Sequence, residues 1–334
     1  MLPDKTGEPN PRRVYVLGRA TGKLRLALEW DRAVSKTYGP CQRSVIFDLA
    51  DVEGPVPTEV WDSTSIGPGG GCLGRLVASS GDTGLIFKTD STTSLSMGAD
   101  LSMGKVVAVP HPQDGGNALA SPSVLATNNM GGGFVYRMPF GSNQAVTVPT
   151  PQGVSPLFLG LVEGNDVFAR SNYGTNNWMQ WYRTDPDGQA RLVLSRPAIQ
   201  GLQSDGAHLF WLEASGKPGG MFWPQPKMEV WSSPYSQDLD AVRANARMLA
   251  DVSGLLELME NPVAFNGFYA YAARNEKLVV VRETDGALQT VSVGPGRIGF
   301  VPVYITGTEL WVHVGKINST EGALVRIKLA PWPS

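Results

Sequence analysis

One short pattern recurs along the chain and constrains the fold more than any other feature. A brief run of apolar or aromatic residues is followed by one polar residue and then a turn. The copies are Val45-Ile46-Phe47-Asp48, Leu85-Ile86-Phe87-Lys88, Phe134-Val135-Tyr136-Arg137, Gln180-Trp181-Tyr182-Arg183, Glu229-Val230-Trp231-Ser232, Val279-Val280-Val281-Arg282 and Ala323-Leu324-Val325-Arg326. They end at 48, 88, 137, 183, 232, 282 and 326, so the gaps run from 40 to 50 residues and average about 46. A unit repeated at such an interval cannot bury its apolar surface alone and stacks on its neighbours. A period of about 40–50 residues is that of a four-stranded propeller blade. The expected fold is all-β: a seven-bladed β-propeller of four-stranded antiparallel blades over residues 12–331. Six and eight blades are the neighbouring counts, and residues 1–11 are a flexible lead-in.

The stretches between copies fit this reading. Thr89-Asp90, Asp185-Pro186-Asp187-Gly188 and Thr284-Asp285-Gly286 follow the pattern and favour tight hairpin connections. Strand-like runs come next, among them Val106-Val107-Ala108-Val109, Ala145-Val146-Thr147-Val148, Arg191-Leu192-Val193-Leu194 and Leu288-Gln289-Thr290-Val291. In the later repeats a turn glycine precedes an aromatic strand, as in Gly206-Ala207-His208-Leu209-Phe210-Trp211 and Gly267-Phe268-Tyr269-Ala270-Tyr271. Such strands are expected to pack aromatic side chains between blades. Between Gly206 and Gly267 the spacing stretches to 61 residues, and residues 216–224 read as an inserted loop. Leu239, Val242, Ala246 and Leu249 fall near helical spacing with Asp238 as a cap. The repeat register instead makes Arg247-Met248-Leu249-Ala250 a strand, with a short helix before it. Eight residues follow the seventh copy, too few for another strand. Arg13-Val14-Tyr15-Val16-Leu17, or else Leu24-Arg25-Leu26-Ala27-Leu28, is therefore expected to complete the last blade and close the ring.

Asp205-Gly206-Ala207-His208-Leu209-Phe210-Trp211, followed by Val230-Trp231-Ser232-Ser233-Pro234, resembles the repeats of bacterial extracytoplasmic β-propellers, in which a DG-x-x-LYW strand leads to a V-x-R-x-P strand. The pattern is distantly similar to the YWTD class of propeller. Phe210 stands where tyrosine is usual, and residues 1–70 match poorly. The resemblance implies a blade and carries no ligand with it, because propellers host unrelated functions.

Composition excludes several classes. Glycine (39) and proline (25) are plentiful and charged residues are 17%, which disfavours coiled coils and helical bundles. The formal net charge of −2 lacks the electrostatic footprint of a nucleic-acid binder. No apolar run approaches the ~20 residues that span a bilayer. The polar opening through Pro11 reads as a linker to an upstream secretion signal or lipid anchor. That places the domain in the periplasm, at the cell surface or outside the cell; a cytoplasmic protein is the alternative. Cys41 and Cys72 lie in loop-like surroundings and are read either as a disulfide or as two reduced thiols.

Catalytic signatures are missing. The three histidines, His111, His208 and His313, are scattered and give no metal-ligand spacing. His208 and His313 read as strand residues, and His111 as a loop residue. The glycine-rich stretches at Gly69-Gly70-Gly71 and Gly131-Gly132-Gly133 lack the Lys-Ser/Thr of a phosphate loop, and no serine stands in a Gly-x-Ser-x-Gly elbow. Asp185-Pro186-Asp187-Gly188 reads as a plain hairpin turn in preference to a calcium loop. No metal and no cofactor is expected.

Aromatic residues are the positive signal. Five of the nine tryptophans lie between 178 and 231. Trp181, Trp211 and Trp231 read as strand core. Trp178 follows Tyr173-Gly174-Thr175-Asn176-Asn177, and Trp223 lies in the inserted loop. Loop aromatics with asparagine neighbours suit stacking on sugars or peptide side chains. The expected function is non-catalytic binding of a protein or carbohydrate through Tyr173, Asn176, Asn177, Trp178, Phe222, Trp223 and Tyr235. The alternative is a lyase or hydrolase working in a central channel, with His111, Asp114, Arg170 and Glu213 as its candidate residues.

Overall fold

A computed structural model of the chain describes the strand backbones within residues 13–109 and, with side chains, most of residues 118–333. The segments of four or more residues outside the described residues are 1–12, 34–39, 51–57, 63–74, 80–84, 89–95, 101–104, 110–117, 129–132, 140–143, 174–177, 216–226, 256–261, 294–299 and 316–321.

The described strands form seven antiparallel sheets, six of four strands and one of three. The first holds β1 (Arg13–Ala20), β2 (Lys23–Ala33), β3 (Pro40–Ala50) and β4 (Thr58–Asp62), and the second β5 (Arg75–Ser79), β6 (Leu85–Lys88), β7 (Ser96–Asp100) and β8 (Lys105–Val109). The third holds β9 (Ala118–Ala120), β10 (Val124–Asn128), β11 (Phe134–Pro139) and β12 (Val146–Pro149). The fourth holds β13 (Leu157–Glu163), β14 (Asp166–Tyr173), β15 (Trp178–Thr184) and β16 (Ala190–Pro197). The fifth holds β17 (Gln200–Ser204), β18 (His208–Ser215), β19 (Lys227–Pro234) and β20 (Arg247–Asp251). The sixth holds β21 (Val263–Phe265), β22 (Phe268–Ala273), β23 (Lys277–Arg282) and β24 (Leu288–Ser292), and the last β25 (Phe300–Ile305), β26 (Glu309–Gly315) and β27 (Gly322–Lys328). Each sheet is a simple meander; from β5 to β25 the first strands of successive sheets lie against one another, β1 lies against β25, and β5 meets the first sheet at β3.

Six of the seven pattern copies fall on third strands. The exception is Leu85-Ile86-Phe87-Lys88, which is the second strand of its sheet. The third strand there, β7, has Met97 alone among small and polar residues and offers no apolar run, which accounts for the shortest gap in the repeat. The short helix α1 (Leu239–Ala244) does precede β20; Asp238 caps it by accepting from the Asp240 and Ala241 amides.

The core lies in the seams between sheets. Trp211, Leu209, Trp181 and Phe168 fill the seam between the fourth and fifth sheets. Phe210, Tyr269, Tyr271 and Val230 fill the next, where the Phe210 and Tyr269 rings stack with centroids 5.7 Å apart. These are the aromatic strands that follow the turn glycines.

In the third, fourth, fifth and sixth sheets the polar residue that ends the pattern copy takes part in a link to the following repeat. Arg137 donates to the carbonyls of Thr184 and Asn165, Arg183 to Gln237 and Arg282 to Pro333, each in the following repeat. At Ser232 the repeat lacks arginine, and the link is rebuilt. The Ser232 hydroxyl donates to Glu283, and Arg247 donates to the Glu283 carbonyl at 2.5 Å and carboxylate at 2.7 Å. The glycine of the Thr284-Asp285-Gly286 turn completes the fit. Gly286 has φ +71° and lies so close to the Leu249 carbonyl of the preceding sheet that a Cβ would collide with it.

One expectation is corrected. No N-terminal strand completes the last blade among the described residues. Both proposed closing strands, within β1 and β2, pair with each other inside the first sheet, whose four strands already satisfy them. Cys41 lies on β3 and Cys72 outside the described residues, so their pairing is untested.

Replacing Arg137 with alanine removes two charge-assisted hydrogen bonds to carbonyls of the next repeat. It should lower unfolding free energy by about 2–3 kcal/mol. Arg191→Ala, at an arginine side chain 56% exposed, should leave it nearly unchanged. Urea titration of both variants measures the difference.

Candidate functional site

The β18–β19 hairpin places Trp211, Glu213, Trp231 and Glu229 on one face. Trp211 pairs with Trp231 and Glu213 with Glu229 across the hairpin. Side chains alternate along strands, so residues two apart share a face. Each tryptophan ties down its neighbouring carboxylate. Trp211 Nε1 donates to Glu213 Oε1 at 2.8 Å, and Trp231 Nε1 donates to Glu229 Oε2 at 3.1 Å. Both glutamates are buried, at 7% and 6% exposure. Arg196, from β16 of the neighbouring sheet, brings its Nε to 3.7 Å from Glu213 and lies 5.9 Å above the Trp231 ring. Lys227 pairs with Glu229. Burial pushes the Glu213 carboxyl above its ordinary range; the Trp211 donor and Arg196 pull it back, and Glu229 pushes it further up.

The internal repeat shows how unusual this pair is. Counting back three residues from Arg183, Ser232, Arg282 and Arg326 gives equivalent positions. The cross-strand pairs there are Ser171 with Gln180, Glu213 with Glu229, Tyr271 with Val279, and Val314 with Ala323. Three sheets place neutral residues where the fifth places two carboxylates. Like charges facing each other across a ladder destabilise it, and burial adds to the cost. The fifth sheet departs from the repeat at the base of the inserted segment 216–226, which leaves β18 after Ser215 and rejoins β19 at Lys227.

Tyr173 and Trp178 are register partners at the end of β14–β15 from which residues 174–177 depart. Trp178 also pairs with Pro197, next to Arg196, so this end of the fourth sheet adjoins the carboxylate pair. Asn176, Asn177, Phe222 and Trp223 lie outside the described residues.

Tyr235 does not join them. It stands at the opposite ends of the strands, beyond β19 and beside the β13–β14 turn. Its hydroxyl donates to Asp166, which also accepts from Gln237 at 2.7 Å, and its ring meets Phe168 edge-on. Burial and that bond push its phenol far up. Tyr235 is thus engaged in the seam between sheets. The length of β19 separates Tyr235 from the end where residues 216–226 join Lys227.

Of the enzyme candidates, His111 and Asp114 lie outside the described residues, and Arg170 is exposed on β14. Arg170 and Glu213 both stand on second strands, one removed from the first strands that face each other. His208 sits at the turn end, with Nδ1 3.5 Å from Asp205 and Nε2 3.8 Å from Glu283. His313 is half-buried on β26. Asp185 and Asp187 are engaged by Arg183 and Arg191, as suits a hairpin turn. Among the described residues no cluster of His, Cys, Asp and Glu is arranged to hold a metal, and no helix is long and apolar enough to cross a membrane. Glu229 was not singled out from the sequence; aligning the third strands on their terminal polar residue would have exposed it.

No family model matches the sequence, and no curated protein matches it. Solved structures are similar to it in fold. Oligogalacturonate lyase in complex with manganese is 13% identical, with a TM-score of 0.59, covering 96% of this chain and 90% of its own. The WD40 β-propeller domain of Doa1 is 12% identical, with a TM-score of 0.53, covering 97% and 94%. The Pyrococcus horikoshii acylaminoacyl peptidase is 11% identical, with a TM-score of 0.59, covering 97% of this chain and 54% of its own. The chain spans about half the length of the peptidase chains it matches. The fold is propeller-like and nearly all-β, built from antiparallel four-stranded sheets. A lyase, a peptidase and a WD40 domain share it, so the fold leaves the function open.

The raised Glu213 carboxyl sets the sign of a pH effect. A carboxyl lifted by burial makes its ionised form costly only in the folded chain, so stability falls as pH rises through the folded value. Glu213→Gln should therefore melt at a higher temperature than the parent at pH 8. The gap should close below pH ~4, where the unfolded carboxyl is also protonated. Equal melting temperatures at pH 8 would contradict the burial argument.

Proposed function

We propose that the seven sheets are blades of one closed ring and that this β-propeller is a binding or scaffold module working outside the cytoplasm. It recognises a protein or glycan partner at the end where the β14–β15 and β18–β19 connections emerge. Tyr173, Asn176, Asn177, Trp178, Phe222 and Trp223 supply flat faces and amides there. The observation that carries this reading is the Glu213–Glu229 pair at the base of the 216–226 insertion, where equivalent positions are neutral. A buried carboxylate pair destabilises the free protein. A partner that brings hydroxyl or cationic donors offsets that cost, which is the usual trade of stability for function. The reading calls for no metal and no cofactor.

A lyase or hydrolase is the second reading. Glu213 supports it, since a carboxyl shifted upward opposite another carboxyl is an arrangement used in acid–base chemistry. Its site would be this seam and not the channel between first strands.

Peptide and glycan arrays supply the ligand for the test. Trp178→Ala, Trp223→Ala and Glu213→Gln should each weaken binding of the strongest array hit by about tenfold or more, without lowering the melting temperature. Unchanged binding in all three variants would sink the site. Consumption of an array glycan or peptide, lost in Glu213→Gln, would select the enzyme.

A further inference from the structure

The fifth sheet lines up three acids in one cross-strand row. Glu213 on β18 pairs with Glu229 on β19, and Glu229 pairs in turn with Asp251 on β20. Directly paired residues share a side of the sheet. The same row is neutral in the sheets on either side. It holds Ser171, Gln180 and Ser195 in the fourth sheet, and Tyr271, Val279 and Thr290 in the sixth.

Donors within the chain serve the three acids unequally. Asp251 accepts from the Ser253 amide at 2.9 Å and from its hydroxyl. Glu229 accepts from Trp231 at Oε2 and pairs with Lys227 through Oε1. Glu213 accepts only from Trp211, at Oε1, and its Oε2 receives no hydrogen bond from the described residues. The Glu213 side chain is 9% exposed. A carboxylate buried to that degree with one oxygen open costs stability until a donor reaches it.

Arg196 shows which donor the place draws. It stands on β16, on the other wall of the seam, with its side chain 40% exposed. Its guanidinium lies 5.9 Å from the centre of the Trp231 ring, and its Nε stops 3.7 Å from Glu213 Oε1, beyond hydrogen-bond range. A cation is drawn to the carboxylate and the indole, yet it is loosely seated and leaves Oε2 open. Among the described residues two cations, Arg196 and Lys227, pair with the row, one fewer than its acids.

We infer that Glu213 and the Trp231 face form a subsite for the guanidinium of an arginine side chain on a partner protein, and that Arg196 holds the place until the partner displaces it. This rests on the binding reading above and narrows the partner to a protein. A glycan hydroxyl supplies a donor but not the charge that the row lacks. Arginine fits better than lysine, because its flat, weakly hydrated head stacks on an indole while its N–H groups reach the open oxygen.

N-acetyl-arginine amide is the probe, and N-acetyl-citrulline amide is its uncharged counterpart. Binding is followed by the indole N–H resonance of Trp231, assigned with Trp231→Phe. Arg196→Ala removes the resident cation and should bind the arginine probe about tenfold more tightly than the parent. Adding Glu213→Gln to that variant should return the affinity to the parent level or below, and the citrulline probe should shift nothing. Equal binding of the arginine probe to Arg196→Ala and to the double variant overturns the inference. So does equal binding of the two probes to Arg196→Ala, a comparison that does not depend on the double variant folding. The arrays separate the two levels. A strongest hit without arginine that still loses binding in Glu213→Gln overturns this inference and leaves the binding site in place. A hit indifferent to Trp178→Ala, Trp223→Ala and Glu213→Gln removes the site itself.

Discussion

Everything in this structure depends on seams between sheets. Among the described side chains, the apolar clusters of the third to seventh sheets lie between neighbouring sheets. Apolar burial drives that contact but does not fix its alignment, because hydrophobic attraction has no direction. Alignment comes from hydrogen bonds that cross the seam at one end of the strands. Arg137, Arg183 and Arg282 each reach into the following repeat, and Asp205 accepts from the Gly267 amide of the next sheet at 2.6 Å. The substitution at Ser232 shows that the link matters more than the residue, since Arg247 and Glu283 restore it by another route.

The two ends of the strands therefore do different work. The end with the β13–β14, β17–β18 and β21–β22 turns is occupied by these cross-seam bonds, and Tyr235 and His208 are drawn into them. The opposite end carries the insertion and the departure from the repeat at Glu213 and Glu229. A repeat architecture makes such a departure informative. Equivalent residues in other sheets show what packing alone accepts at that place, and it accepts Ser171, Gln180, Tyr271 and Val279. Two carboxylates there need a reason beyond packing.

Much of the fold was legible in the sequence because its signal repeats. The third strands announce themselves through apolar runs ending on a polar residue, and the turn glycines locate the hairpins before β14, β18 and β22. The errors have physical causes. β7 reads Ser96-Met97-Gly98-Ala99-Asp100 and has no apolar run, so the repeat pattern falls on β6 in its place. Counting residues suggested that β1 or β2 closes the ring, but long ladders within β1–β2–β3 hold both strands in the first sheet. The site was less legible. Trp178 and Trp223 stood out by type, whereas Glu229 has significance only through its partner across the hairpin. Tyr235 looked like a loop aromatic because sequence distance says nothing about which end of a strand a turn occupies.

The most direct measurement is a crystal structure of the chain with the strongest array ligand bound. The account predicts ligand density at the end where residues 174–177 and 216–226 leave their strands, with a donor of the ligand within hydrogen-bond reach of Glu213 or Glu229. Density confined to the space between the first strands, or to the turn end beside Asp166 and Asp205, would contradict it.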